Sequence, residues 1–163
     1  MKVVITDANI FMHIIGAGLI DEFFRLELEV LTTSEVFTEI GDERHLLEPF
    51  IGAGFDVIQS DEDQIESIES APYPPGLSFP DRSVLFHATL RQCTVLTGEA
   101  LMRRECKKHG LEVHGILWVL DRMASESLCT THTLAQTLTR LMRLPDFRVP
   151  KSECEARLRD WKS

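Results

Sequence analysis

A chain of 163 residues with 44% apolar and 26% charged residues is long enough for one domain with a real core and too apolar for general disorder. Its net charge of −9 is divided unevenly: residues 1–80 carry 16 Asp and Glu against 3 Lys and Arg, and residues 81–163 carry 10 against 14. The first half is therefore excluded as a phosphate-binding surface unless cations assist it, whereas the second half has the charge to line one. The chain passes from Met-Lys directly into VVIT, with no targeting signal, and its longest apolar stretch, ANIFMHIIGAGLI, is 13 residues and interrupted by His13, too short to span a bilayer. Cys93, Cys106, Cys129 and Cys154 are 13, 23 and 25 residues apart, with no CxxC and no zinc-module spacing, which indicates four reduced thiols in a cytoplasmic protein.

In chain order, VVIT (3–6) predicts a central parallel strand, and Ile10, Ile14 and Ile15 mark the helix after it, followed by a second helical piece near 19–27. A short strand is predicted at 28–31. TTSEVFTEI opens a helix in which Thr32 and Glu35 fit a capping box, and a further helix is predicted over 43–52. FDVIQ (55–59) reads as a strand and SDEDQIESIES as an acidic helix start. APYPPGLS (71–78), with three prolines and a glycine, is a loop. A helix over 80–91 has Pro80 in its first turn, CTVLT (93–97) is a strand, and a helix (99–109) and a last strand (111–115) follow. The remainder is helical, broken near 128–131 and at Pro145 and Pro150. Strands alternating with helices predict an α/β fold with a parallel sheet covered on both faces, whose ligands bind at the carboxyl ends of the strands.

Four acids meet that rule. Asp7 directly follows the first strand, Glu99 lies one glycine beyond CTVLT, Asp81 starts a helix on the side of Val84, Leu85 and Ala88, and Glu39 sits late in the TSEVFTEI helix. Taken singly, each has a plain role: Asp7 as a helix cap, Asp81 as a complement to a helix dipole, Glu99 as an i,i+4 partner of Arg103, Glu39 as an exposed helix acid. Gathered at one sheet end, with no Lys or Arg adjacent to Asp7 or Glu39, they would repel one another unless divalent cations neutralised them. Oxygen-only ligands favour Mg²⁺ or Mn²⁺ over zinc, and phosphodiester hydrolysis is chemistry that needs such a site. Other phosphoryl-transfer designs fit less well, since Asp7-Ala8-Asn9 has no second acid two residues on and no GxxxxGK[ST] loop occurs.

VVITDANIFMHI, SEVFTEI and LSFPDRSVLFHATLRQCTVLTGEALMRRECKKHGLEVHGIL, in that order and at those spacings, resemble a PIN domain. The resemblance covers about residues 2–120, and the tail from GILWVLDRM onward is similar to a toxin ribonuclease branch with extra C-terminal helices. It implies a three-layer α/β/α fold in one domain over 1–163, with a core to about 120 and a helical extension over 121–163. It places Asp7, Glu39, Asp81 and Glu99 as the catalytic acids, with Asp7, Asp81 and Glu99 binding Mg²⁺ or Mn²⁺ and Asn9 and Thr97 supporting them. The fourth acid is Glu99 where the family pattern has Asp. The implied activity is metal-dependent cleavage of RNA, and Arg103, Arg104, Lys107 and Lys108 are the candidate RNA-binding stripe. The implied partners are the RNA substrate and a small antitoxin that blocks the site. A homodimer is admitted, and a catalytically weak binding or regulatory protein on the same fold is the alternative.

Overall fold

The computed structural model describes residues 1–162; Ser163, the last residue of the expected domain, lies outside the described residues. Five parallel strands form one sheet: β1 (Lys2–Thr6), β2 (Leu28–Thr33), β3 (Phe55–Ile58), β4 (Thr94–Leu96) and β5 (Val113–His114), in the order β3-β2-β1-β4-β5. The β-branched run of β1 accounts for its central place, because Val4, Ile5 and Thr6 are fully buried. The chain builds outward from β1 to β3, then crosses back to β4. The sheet therefore changes direction between β1 and β4, where Thr6 is paired with Leu96.

The helices are α1 (Ala8–Ala17), α2 (Ile20–Arg25), α3 (Ser34–Ile40), α4 (Glu62–Ser70), α5 (Phe79–Arg91), α6 (Ala100–Lys108), α7 (Ile116–Ser125), α8 (Thr131–Leu141) and α9 (Lys151–Lys162). Right-handed crossovers put the helices of the β1–β3 half on one face and those leading into and out of β4 on the other. The packing agrees: α1 touches α8 and α2 touches α7, whereas α5 touches α4 and α6. The short α3 touches both α1 and α5. Leu134, Leu138, Leu141 and Cys154 of the C-terminal helices share one core with Val4 and Ile5. An aromatic cluster fills the β3 side, with Phe11 at 5.6 Å from Phe55 and Phe24 stacked on Phe50 at 4.3 Å. All four cysteines are free; Cys93, Cys106 and Cys154 are buried. Among the described residues, no helix is long and apolar enough to cross a membrane.

Two local expectations are corrected. The cap of α3 is Thr33, whose hydroxyl accepts from Val36 N–H, and not Thr32. Thr32 instead donates its hydroxyl to the Thr6 carbonyl across the sheet, while Glu35 accepts from Ser34 rather than closing a box. The helix expected over 43–52 is two 3-10 turns, Gly41–Leu46 and Glu48–Phe50. Pro49 is the physical reason, since it offers no N–H and its ring clashes with a helical carbonyl four residues earlier.

His13 on α1 is 5% exposed and neither ring nitrogen has a hydrogen bond; Nε2 lies 3.9 Å from a carboxylate oxygen of Asp146. Burial lowers its pKa, and Asp146 opposes that only in part. Because the folded pKa is depressed, His13 costs nothing in charge above about pH 6.5, and stability is lost as pH falls below that value. His13→Leu removes both the unsatisfied nitrogens and this acid sensitivity. Urea unfolding should show a gain of about 1–2 kcal/mol at pH 7.5 and a larger one at pH 5.

Candidate active site

The crevice between the carboxyl ends of β1 and β4 is built from four segments. Asp7 ends β1 and caps α1: its Oδ1 accepts from Ile10 N–H at 3.0 Å, so the capping role and the inward position coexist. Its other oxygen accepts the Thr97 hydroxyl at 2.5 Å, and its own N–H donates to the Leu96 carbonyl. The Thr97 oxygen in turn accepts the Glu99 N–H at 3.1 Å, so one hydroxyl joins the ends of both strands. Asp7 is only 2% exposed. Burial drives its pKa from 3.8 to about 7; Thr97 and Ile10 pull it down, and the charges of Asp81 and Glu99 push it up.

Asp81 is half-buried in the first turn of α5, whose N-cap is Ser78 with Pro80 following. Asp81 N–H donates to the Ser78 hydroxyl at 3.2 Å. Burial raises the Asp81 pKa, hydrogen bonding from Ser78 lowers it, and Glu99 raises it. Glu39, exposed in the last turn of α3, is raised first by desolvation and then by Asp81 and Glu99. Glu99 is exposed at the start of α6, and its charge bears on each of the other three. The four acids thus share one electrostatic site, and among the described residues none of them has an ion-pair partner. Glu99 and Arg103, which the i,i+4 spacing would allow to pair, form no salt bridge.

An all-oxygen, uncompensated carboxylate set suits a hard divalent cation. Among the described residues, no three Asp, Glu, His or Cys side chains are already drawn together at metal-holding spacing, so binding would require the carboxylates to close in. The neighbouring Cys106 thiol is no competitor, since burial and Asp7 push its pKa up to about 12.

The basic residues of α6 lie on one side of the helix and differ in their surroundings. Arg103 turns toward Gly115, Arg104 and Lys107 are exposed, and Lys108 pairs with the buried Glu105 at 3.2 Å. At 1.5 Å per residue, Lys107 and Lys108 are carried roughly 12 Å along the helix from Glu99. Arg103 lies one turn on from Glu99.

The sequence matches the family described as a PIN domain over residues 3–163. The chain belongs to the PIN-domain family. PIN domains are generally nucleases that use divalent metals, and the match runs through the C-terminal helices as well as the sheet. No curated protein matches the chain.

Two features of this PIN-domain site escaped the sequence reading. Ser78 is the cap that orients Asp81, and the signal was present as SFPD, a Ser-x-x-Asp start. Gly98 is the other: a Cβ there would lie 2.8 Å from Asn9 Oδ1, so the glycine lets the Asn9 amide lie against the β4–α6 turn. The atom in the way is the end of a flexible side chain. Gly98→Ala should therefore cost less than about 1 kcal/mol in thermal unfolding while displacing Asn9, and cleavage assays should show a fall of about tenfold.

Proposed function

We propose that this PIN domain is a Mg²⁺- or Mn²⁺-dependent endoribonuclease, acting in the cytoplasm as the toxin component of a toxin–antitoxin pair. The observation that carries the reading is the buried, uncompensated Asp7 carboxylate, held at the sheet's switch point within the fields of Asp81 and Glu99. Asp7, Asp81 and Glu99 would hold the cation. A bound Mg²⁺ or Mn²⁺ supplies Lewis acidity toward the scissile phosphate and its attacking water. The chain's own residues do the rest. Ile10 N–H and the Thr97 hydroxyl fix both Asp7 oxygens, Ser78 fixes Asp81, and Asn9 lines the crevice. Glu39, exposed and with its pKa raised, is suited to accept a proton from the attacking water. An antitoxin that places a basic side chain among the four acids would neutralise the same charge and block the site.

A specific observation favours a second reading, a PIN-fold binding protein with feeble activity: the fourth acid is the longer, exposed Glu99. One assay separates the two. Labelled RNA containing single-stranded and hairpin segments is incubated with Mn²⁺ or EDTA and with wild type, Asp7→Asn or Asp81→Asn. Cleavage that needs Mn²⁺ and drops at least about 100-fold in both variants is the expected result. No cleavage by wild type, or cleavage surviving both substitutions, sinks the nuclease reading.

A further inference from the structure

Beside the carboxylates lies a cleft of about 530 Å³, within the usual range for small-molecule sites. It begins at Gly98 and Ala100, the residues on either side of Glu99, and is closed by the start of α7 and by the 148–150 segment that leads into α9. We infer that this cleft receives the unpaired nucleotide flanking the scissile phosphate of a single-stranded RNA, with Arg103 and Arg148 holding its phosphate. The inference rests on the ribonuclease reading and adds to it a subsite beside the carboxylates, with Arg103 and Arg148 as its phosphate contacts.

The charge pattern supports it. Three arginines line the cleft, and Arg157 is committed to Asp121, with contacts of 2.9 and 3.4 Å. Arg103 and Arg148 have no ion-pair or hydrogen-bond partner among the described residues, although the chain as a whole carries −9 and Glu153 also lines the cleft. They come from different walls, Arg103 from α6 and Arg148 from the segment before α9. Arg103 is also placed by design of the backbone: a Cβ at Gly115 would lie 2.9 Å from its Nη1, so the glycine makes room for the guanidinium beside the β4–α6 turn. Trp118, with His114 stacked parallel on it at 4.5 Å and the Arg122 guanidinium over its ring at 5.1 Å, joins the cleft wall as one member of a stacked group, of which His114 is the other ring lining the cleft. Paired guanidinium groups and an aromatic surface are the chemistry of single-strand recognition. A base held in an A-form duplex could not leave its partner to enter the cleft, so the subsite selects unpaired RNA.

The test uses the full chain with Asp7→Asn and Asp81→Asn, in EDTA, so that neither cleavage nor metal affects the reading. A fluorescein-labelled eight-nucleotide oligouridylate and a blunt RNA duplex of the same length are the probes, followed by anisotropy. The single strand should bind at least about tenfold more tightly than the duplex. Adding Arg103→Ala and Arg148→Ala should weaken single-strand binding at least about tenfold and reduce the slope of log K against log salt, as expected when phosphate contacts are lost. Lys2→Ala with Arg91→Ala, which lie together at the opposite, amino end of the sheet, should change binding less than about twofold. Arg148 is exposed, so Arg148→Ala alone distinguishes lost contacts from misfolding. Equal losses from the two double substitutions, equal binding of the duplex, or unchanged binding without Arg148 overturns the subsite. If wild type fails to cleave with Mn²⁺ but the binding pattern holds, the hydrolase reading falls and the subsite stands; if cleavage holds and the pattern fails, only the subsite falls.

Discussion

Asp7→Asn should reduce RNA cleavage on the order of 10²–10³-fold and, at the same time, make the metal-free protein more stable at pH 8. The two effects have one cause. Asp7 titrates at about 7 in the folded chain against 3.8 as its ordinary value. A carboxyl whose folded pKa is raised holds its proton more tightly when folded, so stability is greatest below about pH 4 and falls as pH rises toward 7. The shift corresponds to a penalty on the order of 4 kcal/mol at pH 8. Asparagine keeps an oxygen for the Ile10 N–H and carries no charge to desolvate. We expect a gain of about 2 kcal/mol or more at pH 8, equivalent to about 4–8 °C in Tm, and little gain at pH 4. Mn²⁺ should narrow the difference by stabilising wild type alone. A variant that is less stable than wild type at pH 8 would mean that Asp7 is not an uncompensated buried charge.

Thr97→Val is expected to have the second large effect. Its hydroxyl lowers the Asp7 pKa and receives the Glu99 N–H, so valine removes both bonds in a fully buried place. The loss should destabilise the fold by about 2–3 kcal/mol in urea unfolding. Without the donor, the Asp7 pKa rises above 7, and the acid limb of the pH–rate profile should move to higher pH. Thr97→Ser, which keeps the hydroxyl, should restore the profile even where stability stays reduced. A profile unmoved in Thr97→Val would remove Thr97 from the support of Asp7 and leave it a packing residue.

The sheet was legible because VVIT, FDVIQ and CTVLT are apolar runs bounded by polar or turn residues, and Pro80 and the Pro-rich loop mark where the chain turns. The four acids were legible for a related reason: each follows a strand or opens or closes a helix, and the parallel topology carries those positions to one end. Residues whose roles depend on distant partners were not legible. Thr32 and Thr33 are equivalent caps in the sequence, and only the Thr6 carbonyl across the sheet decides between them. The four-residue spacing of Arg103 from Lys107 is local and legible, whereas Gly115, which makes room for Arg103, is contributed by the segment after β5. Arg148 joins the same cleft from a loop that no spacing rule connects to Glu99.

Calorimetric titration of the purified chain with Mn²⁺ at pH 6 and pH 8, in two buffers of different ionisation enthalpy, tests the central claim most directly. If Asp7, Asp81 and Glu99 form the metal site, Mn²⁺ binds more tightly at pH 8, binding at pH 6 releases about one proton, and Asp7→Asn and Asp81→Asn each weaken binding at least about tenfold. Absence of Mn²⁺ binding to wild type, or binding that neither substitution changes, would contradict it.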